Sequence, residues 1–176
     1  MNQTRTLRKE ALIASWANSD WDDVARFIGP NAHRFASAWG KARDKMVKAG
    51  GGLVLTWCWP ALFFGFAWFL YRKQWAVGAV LIILPLVVGY FFSVSAGGGA
   101  AIFIAMIAKS TIAQDAVTKI AKIRAAGGSD AEIAAAGGVS VIAGVLGGIV
   151  LVAELALAFV GAVMDQQAHL ASLSNV

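Results

Sequence analysis

Apolar and polar positions in this chain fall into long blocks. Residues 53 to 70, LVLTWCWPALFFGFAWFL, carry no charged side chain, and after the polar break Tyr71-Arg72-Lys73-Gln74, residues 75 to 96 carry none either. Two uncharged apolar stretches of 18 and 22 residues, joined by a four-residue turn, predict a helical hairpin buried in a bilayer. A third stretch, Gly137 to Met164, runs 28 residues with one charge, Glu154. At 1.5 Å per residue the first stretch reaches about 27 Å, just enough to cross. Pro60 and Pro85 are candidate kinks in the two hairpin helices.

Before the hairpin the pattern is amphipathic. Thr4 to Ala17 reads as a short helix. Ser19-Asp20-Trp21-Asp22 supplies a cap and first-turn acids for a second helix, Asp20 to Ile28, which Gly29-Pro30 should stop. Asn31 to Lys48 reads as a third helix with Phe35, Ala38, Trp39 and Met46 near one stripe, followed by a break at Gly50 to Gly52.

After the second span, Ala100 to Ala126 reads as one helix, embedded at its start and emerging along the cytoplasmic interface. Its stripe is Ile112, Ala116, Ile120 and Ile123, and Lys119 within that stripe should snorkel and can pair with Asp115. Ser129-Asp130-Ala131-Glu132 matches a capping box for a short helix to Ala136. No internal repeat is visible. The expected organisation is a basic cytoplasmic region over 1–52, a hairpin over 53–96, interfacial or cytoplasmic helices over 97–136, a last span over 137–164 and a tail over 165–176.

Composition sharpens this picture. Of 176 residues 59% are hydrophobic and 14% charged, with a mean hydropathy of +0.67. Ordinary soluble domains are about one-quarter charged. So little charge cannot cover three long apolar helices in water, so the expected fold class is an all-α integral membrane protein with about three transmembrane helices and amphipathic cytoplasmic or interfacial ones.

The formal charge of +5 is unevenly spread. Residues 1 to 50 hold nine Lys/Arg, the turn holds Arg72 and Lys73, and the segment before the last span holds Lys109, Lys119, Lys122 and Arg124. With three spans, a cytoplasmic N-terminus places thirteen on the inside and two on the outside, as the positive-inside rule favours. The first 50 residues hold no signal-peptide h-region. The N-terminus is therefore expected in the cytoplasm of a bacterial inner membrane protein.

Chemistry-bearing residues are few. Cys58 has no second thiol to pair with and reads as a small buried hydrophobe. His33 and His169 lack a neighbouring ligand set or nucleophile, and nucleotide-binding and hydrolase motifs are absent. No metal site, cofactor or enzymatic activity is expected.

Glu154 is the sharpest residue, because an ionised carboxylate inside a span costs several kcal/mol without a partner. It can be a proton- or cation-handling group, or a polar contact between helices. Gly144 with Gly148, and Ala143 with Gly147, form small-xxx-small pairs that let helices approach, either a second copy or the hairpin itself. Trp57, Trp59, Trp68, Tyr71, Arg72, Lys73 and Trp75 are candidate interface anchors at the ends of the first span. The basic N-terminal half favours anionic lipid headgroups over nucleic acid, since Glu10, Asp20, Asp22, Asp23 and Asp44 interrupt its charge.

The segment Trp59 to Lys73, WPALFFGFAWFLYRK, resembles a family of small uncharacterised bacterial membrane proteins with a WAAFFFGPFWxLYRK-like signature. Phe27-Ile28-Gly29-Pro30-Asn31-Ala32 is similar to that family's F-[IV]-G-x-N-A segment. This chain has Phe66 where the family usually has proline. The resemblance covers roughly residues 27 to 75 and implies a bacterial membrane protein, without implying an activity.

The expected function is that of a membrane-embedded accessory or scaffold protein. It would act by helix–helix association in a homo-oligomer or a larger membrane complex. The alternative is a small ion or proton channel or transporter using Glu154.

Overall fold

The structure is a computed structural model. It describes residues 2–52, 54–92 and 97–174, with side chains described for all of these except 2, 84–86, 88–92, 97–99, 165, 168, 169 and 171–174. Every regular element among the described residues is helical: α1 (Asn2–Ala17), α2 (Trp21–Ile28), α3 (Ala36–Ala49), α4 (Trp59–Tyr71), α5 (Trp75–Phe92), α6 (Gly97–Ala125), α7 (Asp130–Ala136) and α8 (Val141–Ser174).

Local chemistry sets most boundaries. Asp20 stands at the N-cap position of α2 without a side-chain capping bond, Asp22 and Asp23 occupy its first turn, and Gly29 ends it at φ 86°, a left-sided conformation that glycine tolerates ahead of Pro30. The third helix starts later than its pattern suggests: a 3-10 turn over Ala32–Phe35 precedes α3. Gly50 ends α3 in the left-handed region. The capping box of α7 forms as expected, with Glu132 N–H donating to the Ser129 hydroxyl and Ser129 N–H to the Glu132 carboxylate.

The first apolar stretch departs most from expectation. Residues 54–58 are not helical, and the Thr56 N–H donates to the Met106 carbonyl of α6 at 2.6 Å. Helix α4 has only 13 residues, about 20 Å. It is interrupted at Gly65, which adopts φ 45°, ψ −122°. A helix so short and broken does not cross about 30 Å of hydrocarbon. Pro60 does not cause the break; it sits in the first turn, where its missing N–H has no partner to lose. Pro85 lies inside α5, whose backbone stays helical to Phe92.

The extent of α6 matches the expected single helix, and its middle is the central post of the molecule. Ala105, Ala108, Ile112, Ala113, Ala116, Val117 and Ile120 are all buried, and α1, α2, α3, α4 and α7 pack around it. Alanine at four of these positions lets neighbouring backbones come close. Trp16, Val24, Phe27, Phe35 and Ile133 join the same core from the surrounding elements. Lys119 pairs with Asp115 at 2.8 Å and lies 5.8 Å from the Phe27 ring centroid, so its charge is met while its stem covers the core.

Helix α8 runs 34 residues, well past the expected end of the last span, and takes in most of the expected tail. Among the described residues two segments are long and apolar enough to cross a membrane, Ala100–Ala125 and Asp130–Met164. Helix α5 has 18 residues and no charged residue.

Candidate functional site

The turn between α4 and α5 ties three parts of the chain together. The Arg72 guanidinium donates to the Ile28 carbonyl at 3.1 Å and lies 4.8 Å from the Phe35 ring centroid. Lys73, with φ 58°, turns its ammonium to the carbonyls of Ala135 and Gly137, at 3.2 and 2.6 Å, and so neutralises the C-terminal end of α7. The Ser140 N–H donates to the Tyr71 carbonyl, and the Gly138 N–H to the Phe27 carbonyl, both at 2.7 Å.

Arg72 and Lys73 thus form a latch that joins the α4–α5 turn to α2 and α7. A hydrocarbon slab of about 30 Å cannot separate groups that share hydrogen bonds.

Behind this latch lies a cavity of about 830 Å³. Both sides of the Gly65 break line it: Trp57, Cys58, Trp59, Pro60 and Phe64 from one, Ala67, Trp68, Tyr71 and Arg72 from the other. Asn31, Arg34 and Phe35 close one wall, Lys109 comes from α6, and Val141, Gly144, Val145 and Gly148 come from α8. Three cations, Arg34, Arg72 and Lys109, thus face an otherwise mostly aromatic and aliphatic chamber whose lining contains no carboxylate.

The other expected anchors divide. Trp57, Trp59 and Trp75 are exposed, and Trp59 stacks on Phe63 with ring centroids 6.0 Å apart. Trp68 is instead buried in the core, edge-on to Phe69. Cys58 is buried, as its reading as a small hydrophobe supposes.

The small residues of α8 face α4 of the same chain. A Cβ at Gly144 would come within 2.9 Å of the Tyr71 ring, and one at Gly147 within 3.0 Å of the Ala67 backbone. Ala143 is buried. Of the expected packing set only Gly148 opens onto empty space, at the cavity. Large side chains elsewhere on α8 are offered outward: Ile142, Leu157 and Phe159 are 70 to 75% exposed. Glu154 lies partly exposed on this helix, with no hydrogen-bond or ion-pair partner among the described residues.

A separate ionic cluster closes the far end of α6. Arg124 donates from Nε to Asp23 Oδ2 at 2.9 Å and from a terminal nitrogen to Asp130 at 2.6 Å, and Arg26 pairs with both acids. The Arg124 hydrogen bond and the two guanidinium charges hold the Asp23 carboxyl below the usual carboxylate range, against a smaller opposing effect of burial.

Arg34 and Lys109 escaped the sequence reading as site residues. Lys109 carried a usable signal: it ends the uncharged run Ala100–Ala108, and its closest acid is Asp115. Arg34 carried none, because only the tertiary fold brings it beside Arg72.

The arrangement defines a class, an all-helical protein with apolar helices of membrane-crossing length and a basic end built around α6. Within that class the chain belongs to the family described as Protein of unknown function (DUF2628), which matches residues 36–170. The matched region contains the Trp59–Lys73 segment and begins after Phe27–Ala32. No curated protein and no solved structure matches the chain.

Proposed function

We propose that this protein is a membrane-embedded accessory or scaffold subunit that presents the exposed C-terminal half of α8 to a partner helix. The observation that carries this reading is Glu154, a carboxylate without a described partner on a helix whose large side chains point outward. In hydrocarbon such a group is costly alone, and a donor or cation on a neighbouring helix relieves the cost. The Gly144/Gly147 face is already filled by α4, and Glu154, seven residues past Gly147, extends the same stripe of α8, so association uses that exposed C-terminal half of the helix.

In this reading α5 and α8 are the crossing helices, the first part of α6 returns the chain to the side of the N-terminal helices, and α4 is a re-entrant element beside them. Arg72 and Lys73 join the basic N-terminal helices, which steepens the charge bias and supports a cytoplasmic N-terminus in a bacterial inner membrane. The aromatic Trp59–Lys73 segment would be the latch that holds this arrangement.

The test is in-cell photo-crosslinking from Leu155 and Leu157, followed by purification in mild detergent. Specific adducts at these positions that weaken in Glu154→Leu support the reading; adducts to lipid alone reject it. A second reading, an ion or proton pathway, also starts from the unpartnered Glu154. It gains if Glu154→Gln abolishes flux in proteoliposomes and leaves the cross-linked complex intact.

A further inference from the structure

We propose that the cavity between α4, α6 and α8 binds one anionic phospholipid, with its phosphate held by the lining cations Arg34, Arg72 and Lys109 and an acyl chain along the α4–α8 wall. This inference goes beyond helix association and stands without it.

Charge is the first argument. Elsewhere in the chain Arg26, Lys48, Lys119 and Arg124 each pair with an aspartate. At the cavity, Arg34 and Lys109 have no acidic partner among the described residues, and the lining holds no carboxylate. Arg72 is half-buried; among the described residues its partners are a carbonyl and a ring face, and its Nε–H is buried without an acceptor. Bringing three like charges to one chamber is unfavourable unless an anion joins them. Phosphate fits, because guanidinium and ammonium donors bind its oxygens through charge-assisted bonds.

Shape is the second argument. A free anion needs no apolar chamber, whereas this one is lined mainly by aromatic and aliphatic groups. Gly148 leaves open space on the α8 wall where any side chain would intrude. Trp57 and Trp59 border the cavity, and indole rings favour the headgroup depth of a bilayer. Headgroup end and chain end are thus both present, in a protein whose apolar helices suit a bilayer.

Native mass spectrometry of the full chain in mild detergent, with phosphatidylglycerol or phosphatidylcholine of equal chain length, tests the proposal. The wild type should retain one phosphatidylglycerol per chain, preferred about tenfold over phosphatidylcholine. Arg34→Gln and Lys109→Gln should each cut that preference about fivefold. Gly148→Leu should abolish retention of either lipid while the thermal melt by circular dichroism stays unchanged. Should Gly148→Leu disturb the melt, the two charge variants still decide. Equal retention of both lipids, or a preference that survives both charge variants, overturns the proposal. So does displacement of the retained lipid by millimolar inorganic phosphate, which would identify a free anion as the ligand.

Discussion

Lys73 carries two opposed contributions in one residue. Its backbone sits at φ 58°, a conformation that costs a residue with a Cβ about 1 kcal/mol, and its ammonium holds two carbonyls at the end of α7. Charged hydrogen bonds of this kind are worth about 1.5–3 kcal/mol, less where the group is part-exposed, so the side chain outweighs the strain. Replacing Lys73 by alanine keeps the strain and loses the bonds; glycine loses the bonds and relieves the strain. Both variants should melt below the wild type, with Lys73→Ala the less stable of the two by about 1 kcal/mol. Thermal unfolding in detergent checks the order, and a glycine variant less stable than the alanine one would remove the strain from the account.

Asp23 gives a pH dependence whose sign is set by its partner. Arg124 favours the ionised carboxylate in the folded state, so the folded protein releases this proton more readily than the unfolded chain. The contribution is complete above the unfolded value of about 4 and disappears as pH falls through the lowered folded value. Melting temperature should therefore decline below about pH 4 in the wild type, and less steeply in Asp23→Asn. Parallel curves for the two proteins would place the acid sensitivity elsewhere.

At the scale of elements, glycines record where helices touch. A Cβ at Gly137 would come within 1.9 Å of the Phe27 carbonyl oxygen, a backbone atom that cannot step aside. Gly137→Ala should separate α7 from α2 and expose Ile133, which is fully buried at the centre of that contact. The expected loss is about 2–5 kcal/mol, the range for losing a buried aliphatic contact. Gly144→Ala meets the Tyr71 ring and should cost about 1–3 kcal/mol by overpacking, whereas Gly148→Ala meets nothing and should be neutral. Were Gly144→Ala neutral and Gly148→Ala disruptive, the small-residue face of α8 would belong to another chain.

The same elements explain what was legible in the sequence. Positions governed by local chemistry could be read directly: the Asp20 start and Gly29 stop of α2, the Ser129–Glu132 box, and the Asp115–Lys119 pair. The stripe Ile112, Ala116 and Ile120 was legible too, but not what it faces, since water-side and lipid-side packing share one periodicity. The first apolar stretch misleads because hydropathy counts charge and not backbone geometry. LVLTWCWP is apolar enough for a span, yet residues 54–58 are not helical, Thr56 bonds to α6, and Gly65 breaks the helix on their C-terminal side. The cavity was invisible for a related reason. Arg34, Arg72 and Lys109 lie 38 and 37 positions apart, and no spacing rule connects them.

For the whole molecule, the latch at Tyr71–Lys73 makes a prediction about sidedness that the apolar blocks alone would make differently. A simple hairpin puts the α4–α5 turn across the bilayer from the N-terminal helices. Hydrogen bonds from Arg72 to Ile28 and from Lys73 to Gly137 put them together. The single native thiol, Cys58, can be removed as Cys58→Ser, which leaves a background for labelling with a membrane-impermeant maleimide. Trp75 at the start of α5 and Val139 before α8 are both exposed beside the latch, and Asn18 is exposed after α1. Single cysteines at these three positions should all react from one face of the membrane, and that face should be the cytoplasmic one. A cysteine at position 75 that reacts only from the opposite face to one at position 18 would restore the hairpin. It would also remove the re-entrant α4, because a crossing α4 cannot keep Arg72 in contact with Ile28. The three-cation cavity would go with it, since Arg72 and Arg34 would then lie on opposite sides of the hydrocarbon.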